Sequence, residues 1–221
     1  SLTGLFIIGA ILLYRGFHLV RTRRIGLHCL RNLSHFGGQF GWFFGIAHIP
    51  LAEVFAIEFT LPVWTLILAA VILREPLTVP RIMAVGLGIL GMLVILRPGL
   101  AVVSPVSLIV LSSAVCYGLS HTLTRKIALS DHPITILFYM TLVQLPMGLV
   151  LSLNTWSPVT PAMWPWLIIV GATALTGHYC MAKALSIAHA SVVVPMDFLR
   201  LPLIAFVGYL FYHETLDVFV F

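Results

Sequence analysis

At 221 residues, 60% of them hydrophobic and only 9% charged, with a mean hydropathy of +1.09, the chain is excluded from the ordinary soluble domains, in which about a quarter of residues carry charge. Its length allows roughly eight apolar helices of ~20 residues joined by short loops. The net charge of +5 does not point to nucleic acid, because the basic residues stand at the ends of apolar segments rather than along one face. The expected partner is a lipid bilayer.

Eight membrane segments are expected in chain order. Segment one covers Leu2–Val20, with Arg15 close enough to its end to snorkel, and segment two covers Ile25–His48. Segments three and four are Leu51–Leu73 and Pro80–Leu96, five is Ser104–Ile127 and six is Pro133–Leu153. Segment seven is Trp164–Ile187 and segment eight is Ala190–Tyr212. The runs are long, continuously apolar and not alternating, which selects helices over barrel strands. Cys29, Cys116 and Cys180 stand singly, without metal-type spacing, and read as packing residues.

The loops set an orientation. Ten basic residues, from Arg15, Arg21, Arg23, Arg24 and Arg31 to Arg74, Arg81, Arg125, Lys126 and Lys183, lie at alternate loops, against Arg97 alone on the other side. That asymmetry places the Arg-rich loop, residues 20–26, in the cytoplasm and the loop Asn154–Pro161 outside. A plasma (inner) membrane location follows. Trp156, Trp164 and Trp166 fit an interfacial belt near the outer surface.

A second signal is internal. Ile46-Ala47-His48 recurs as Ile187-Ala188-His189, Glu58 as Asp197, Pro62 as Pro202, and Glu75-Pro76-Leu77-Thr78 as Glu214-Thr215-Leu216, at an offset of about 140 residues. Segment three enters the membrane from outside and segment eight from inside, so the halves are inverted, an arrangement that alternating access uses. The expected fold is an all-α membrane protein showing eight transmembrane helices of a ten-helix, five-plus-five bundle. Residues 1–99 form a first repeat without its first helix, and residues 100–221 a second without its last. The chain reads as cut at both ends, leaving segments five and eight short of partners and able to pair with a second copy.

Pro62-Val63-Trp64, Arg74-Glu75-Pro76-Leu77-Thr78, Gly86-Leu87-Gly88-Ile89-Leu90-Gly91 and Arg97-Pro98-Gly99 together resemble the EamA branch of the drug/metabolite transporter superfamily, and Pro202, Glu214 and Leu216 repeat the signature. The resemblance implies movement of a small metabolite such as an amino acid, nucleotide or vitamin. It leaves the substrate open. A non-transporting membrane protein acting as an interaction or assembly partner is the alternative. An enzyme is not expected: no nucleophile–base pair, metal set or cofactor motif is visible, and the histidines lack metal-box spacing.

Within the spans, Glu58, Asp197 and Arg200 are the candidate coupling residues. Such groups are costly in lipid and normally face an interior or a pathway. Asp197 and Arg200 are three apart and share a helix face, and Arg200 is long enough to reach Glu58 if the two helices face each other. Two carboxylates competing for one cation would make a proton switch. Gln39, Trp42, Tyr117, His35 and His121 are candidate cavity-lining groups. Glu75 and Thr78 read as helix-terminus residues of the hairpin. Gly37, Gly41 and Gly45, and likewise Ala84, Gly88 and Gly91, read as close-packing faces. Pro62 and Pro202 read as mid-helix kinks.

Overall fold

A computed structural model of the chain describes residues 2–96, 104–153 and 158–212, and every regular element among them is helical. Arg97 with Pro98 and Gly99, Trp156 with its neighbours 154–157, and the charged turn carrying Glu214 and Leu216 lie outside the described residues. Helix α1 (Leu2–Arg15) stops short of Val20. Gly16 adopts a φ of 97°, open to a residue without Cβ, and donates its N–H to Leu12 O at 2.8 Å. A 3-10 turn, Phe17–Val20, follows. Helix α2 (Ile25–His48) has the expected bounds.

Two expected spans are broken. Segment three divides into α3 (Leu51–Glu58) and α4 (Leu61–Leu73). Pro62 is in the first turn of α4, where its missing N–H costs no helical bond, so it starts a helix rather than kinking one. Segment eight divides into α9 (Ala190–Val193), a 3-10 stretch Val194–Leu199 entered at Pro195, and α10 (Arg200–Tyr212). Glu58, Asp197 and Arg200 all fall at these breaks. The remaining helices are α5 (Val79–Leu96), α6 (Pro105–Ala128), α7 (Pro133–Ser152) and α8 (Trp164–Ile187).

Four stretches are long and apolar enough to cross a membrane: Glu53–Leu73, Pro105–Ala128, Pro133–Ser152 and Pro161–Ile187. The 24-residue α2 is long enough but carries His28, Arg31, Asn32 and His35 in its first half. The span with least of its surface buried is Pro161–Ile187, at 11%, whereas Pro105–Ala128, expected to lack a partner, is 44% buried.

The chain forms two compact units, Ser1–Phe36 with Leu123–Ala188, and Gly37–Thr122 with His189–Phe221. In the first, α1, α7 and α8 pack pairwise around Ile8, Leu12, Ile136, Leu137 and Leu175. Gly4 sits against Thr141, and Gly171 against Thr3, where an added Cβ would stand 2.9 and 2.7 Å away. In the second, Gly41 and Gly45 of α2 lie directly on Ser113 and Val110 of α6, so that any Cβ would collide. Lipid tails are as apolar as the side chains, so close backbone approach of this kind holds membrane helices together. Gly88 likewise packs on Phe198, but Gly91 has nothing within 4 Å among the described residues and Ala84 is exposed. Among those residues, Gly88 alone of that expected face makes a close contact.

Glu75 closes the second unit. Helix α4 ends at Arg74, whose φ of 57° is left-handed and turns Glu75 into the protein. There Glu75 accepts the N–H groups of Ala190 and Ser191 at 3.0 and 3.1 Å, and the Ser191 hydroxyl. It therefore serves the start of α9, a role the sequence did not suggest, and also lies 4.0 Å from Arg81 Nη1 in the first turn of α5. Arg81 completes the arrangement by donating to Ser191 Oγ at 2.9 Å. Burial pushes the Glu75 carboxyl up, but the Ser191 and Ala190 hydrogen bonds and nearby His189 outweigh it, and the net shift is downward. A depressed folded pKa gives stability that is present above the ordinary carboxylate range and lost as pH falls through the folded value. Glu75→Ala should therefore cost about 2–4 kcal/mol in SDS-titration unfolding at pH 7, and the gap to the parent should close as pH falls below the ordinary carboxylate range. A gap independent of pH would show that the ionised carboxylate is not what α9 needs.

Candidate functional site

The two helix breaks of the second unit bring acid and base together. Glu58 is the last residue of α3. Its Oε2 accepts the Trp42 indole N–H at 2.7 Å and its Oε1 accepts Arg200 Nη2 at 3.0 Å. The same Nη2 lies 3.2 Å from Asp197 Oδ2. One guanidinium nitrogen thus holds both carboxylates at once, so their competition for Arg200 is not either-or in this conformation. Two acids share one cation here. The Glu58 side chain is 13% exposed and the Arg200 side chain 37%.

Aromatic rings frame the cluster. Arg200 lies over the Phe59 ring, 5.2 Å from its centroid, in cation–π range. Phe59 stacks on Phe198 at 5.7 Å, and Phe55 stands edge-on to Trp42 at 6.1 Å. The break itself is held by Thr60, whose hydroxyl donates to Ile57 O at 2.7 Å and accepts from Trp64 Nε1 at 3.2 Å. Tyr117 approaches from α6, packed against Leu61 and Val194. Its ring would stand 3.1 Å from a Cβ at Gly38, so a larger residue there would press on Tyr117. Glu53, one turn before the cluster, accepts the Ser107 hydroxyl at 2.7 Å. Gln39 and His121 are half-buried on α2 and α6 of this unit, and Gln39 makes no hydrogen bond to the cluster among the described residues. Arg200 Nε is buried without a partner among those residues.

His35 belongs to the other unit. Gln144 Nε2 donates to its Nδ1 at 3.0 Å, and the His178 ring stands edge-on at 5.0 Å. One turn earlier on α2 is Arg31, counted from sequence as a loop cation but only 3% exposed. Its Nε donates to Thr124 Oγ1 at 3.1 Å and its Nη1 to Asn32 Oδ1 at 2.7 Å. Both acceptors are neutral. Arg31 makes no ion pair among the described residues, and the Asn32 amide nitrogen is buried without a partner there. The spacing His28, Arg31, Asn32, His35 is i, i+3, i+4, i+7, one face of a helix. That polar stripe is the signal by which the sequence could have revealed this second cluster.

The Arg-rich loop is tied down beside it. Asp131, in the turn between α6 and α7, accepts from the Thr22 hydroxyl at 2.5 Å and from Ser130 at 2.8 Å, and lies 2.9 Å from His28 Nε2. Burial raises the Asp131 carboxyl, but the bonds from Thr22, His28 and Ser130 more than offset it and hold it below the usual carboxylate range. Arg24 donates to Lys126 O at 3.1 Å. His28 and Asp131 were not paired from sequence, because they stand over a hundred residues apart.

The sequence model of the EamA-like transporter family matches residues 1–97 and 104–221. The S-adenosylmethionine uptake transporter of Rickettsia prowazekii is 27% identical over 206 residues, 92% of this chain and 69% of that protein. The riboflavin transporter of Brucella anthropi is 27% identical over 201 residues, 88% of this chain and 71% of that protein. A solved crystal structure shares the fold with a TM-score of 0.81 at 16% identity, over 99% of this chain and 78% of that one.

Proposed function

The chain belongs to the EamA-like transporter family, part of the drug/metabolite transporter superfamily, and on that premise we propose that it moves a small metabolite bearing a flat heterocycle across the membrane by alternating access, with Glu58, Asp197 and Arg200 as the coupling group. The observation that carries this reading is the shared Arg200 contact at two broken helices. Interrupted helices near the middle of a span are where transporters build substrate and ion sites. The rings of Trp42, Phe55 and Tyr117 suit a stacked heterocycle, and the named substrates of the two relatives both contain one. The inverted halves 1–99 and 100–221, the ten-helix whole, pairing with a second copy and the cytoplasmic Arg-rich loop belong to the same reading.

Uptake of labelled S-adenosylmethionine and riboflavin into proteoliposomes, with and without a pH gradient, is the test. Accumulation that follows the gradient is expected. Uptake of neither compound, nor of a wider heterocycle panel, would leave the chain as an assembly partner. With Glu58→Gln, substrate binding should persist while the pH dependence of transport disappears, because the amide keeps the Trp42 bond but cannot ionise. A stable, active Glu58→Gln protein with unchanged pH dependence would remove Glu58 from the mechanism. Orientation has its own check. In a cysteine-free background, a cysteine at Thr155 should react with an impermeant reagent outside the cell and one at Thr22 should not; the reverse pattern overturns it.

A further inference from the structure

Away from the acidic cluster, a cleft of about 310 Å³ opens in the first unit among α1, α7 and α8. Its walls are apolar, formed mainly by Ile7, Ile11, Ile134, Leu137 and Leu175, and Arg15 lines it as well. Arg15 is the last residue of α1, so the charge marks one end of the cleft. The positive charges of Lys183 on α8 and of Arg15 both act on His132, the cap of α7. Burial first, and then the positive charges of Lys183 and Arg15, hold the His132 imidazole below its ordinary value. Arg15 and Lys183 make no ion pair among the described residues, and Asp131, the acid next to His132 in the chain, is engaged by Thr22, Ser130 and His28.

An apolar slot with unneutralised cations at one end has the polarity of an anionic amphiphile. A polar metabolite would leave its hydrogen-bonding groups unpaired against the isoleucines, and a zwitterionic headgroup would bring no net charge to the cations. We propose that this cleft binds an anionic phospholipid, with an acyl chain along Ile7, Ile11 and Leu137 and the phosphate at Arg15 and Lys183. The site needs only a chain embedded in a membrane and does not depend on the transport reading. Basic pockets between transmembrane helices are a recognised way of holding acidic headgroups.

Native mass spectrometry of the full chain tests it, with equimolar phosphatidylglycerol and phosphatidylcholine of identical acyl chains and, separately, glycerol 3-phosphate. Phosphatidylglycerol should be retained over phosphatidylcholine, and glycerol 3-phosphate should not be retained. Retention should fall roughly fivefold for each cation removed in Arg15→Gln and Lys183→Gln. The charge-conserving pair Arg15→Lys and Lys183→Arg should restore the preference. Both side chains are exposed, so these changes do not threaten folding. Thr176→Trp, at an exposed lining position, should displace both lipids. Equal retention of the two lipids, or phosphatidylglycerol binding indifferent to both cations, overturns the proposal. So does glycerol 3-phosphate held as well as the lipid, or retention of no lipid with dimers that Thr176→Trp abolishes.

Discussion

Transport by Arg200→Ala protein is expected to fall to background, with the helical content retained. Arg200 is the only cation within ion-pair distance of Glu58 and Asp197 among the described residues. Its removal leaves two carboxylates at the broken helices without a counter-charge, the Glu58 side chain only 13% exposed, and a poorly solvated charge without its partner is costly. The protein can escape that cost only by protonating an acid, which is the step a coupled transporter must keep reversible. Arg200→Lys should recover part of the activity, because an ammonium supplies the charge but not the planar guanidinium that lies over the Phe59 ring. Initial uptake rates in proteoliposomes, read beside thermal unfolding in detergent, make the measurement. An Arg200→Ala protein that transports at the parent rate would reduce the cluster to a structural ion triad.

Arg31→Met is the second large effect, and it separates stability from activity. Arg31 is buried with two neutral acceptors. Replacing a poorly compensated buried charge by an apolar residue of similar volume is often neutral or stabilising. A purely structural Arg31 would therefore make Arg31→Met at least as stable as the parent and equally active. Intramembrane cations normally mark a pathway, and His35, Gln144 and His178 form a further polar group within the same unit. The expected result is a thermal midpoint equal to or above the parent's together with a loss of uptake on the order of ten- to a hundredfold. Unchanged uptake would return Arg31 to the scaffold.

The membrane class, the helical segments and the family were legible in the sequence because each depends on local quantities. Apolar run length decides what can span lipid, and the bounds of α8 came out as expected for that reason. The motif around Glu75 could be recognised, but its partner could not. Glu75 reaches the start of α9 more than a hundred residues away, and a helix terminus takes whichever acceptor the tertiary fold brings to it. Pro62 was visible as a backbone defect. That the chain uses it to begin a new helix depends on Thr60 and Trp64 holding the break.

Glu58, Asp197 and Arg200 could be singled out from sequence alone, because charges inside apolar runs are conspicuous. Hydropathy had the opposite effect on Arg31. Near the start of a segment and beside other arginines it looked like a loop cation, although its helical phase with His28, Asn32 and His35 was present in the chain. Sequence by itself determined which side chains are expensive in lipid, since composition is a local property. Only the tertiary structure decided which costs are met by which partners. Arg200 meets two acids through one nitrogen and Arg31 meets only neutral oxygens, because pairing depends on which helix faces come within about 3 Å, and no local pattern encodes that distance.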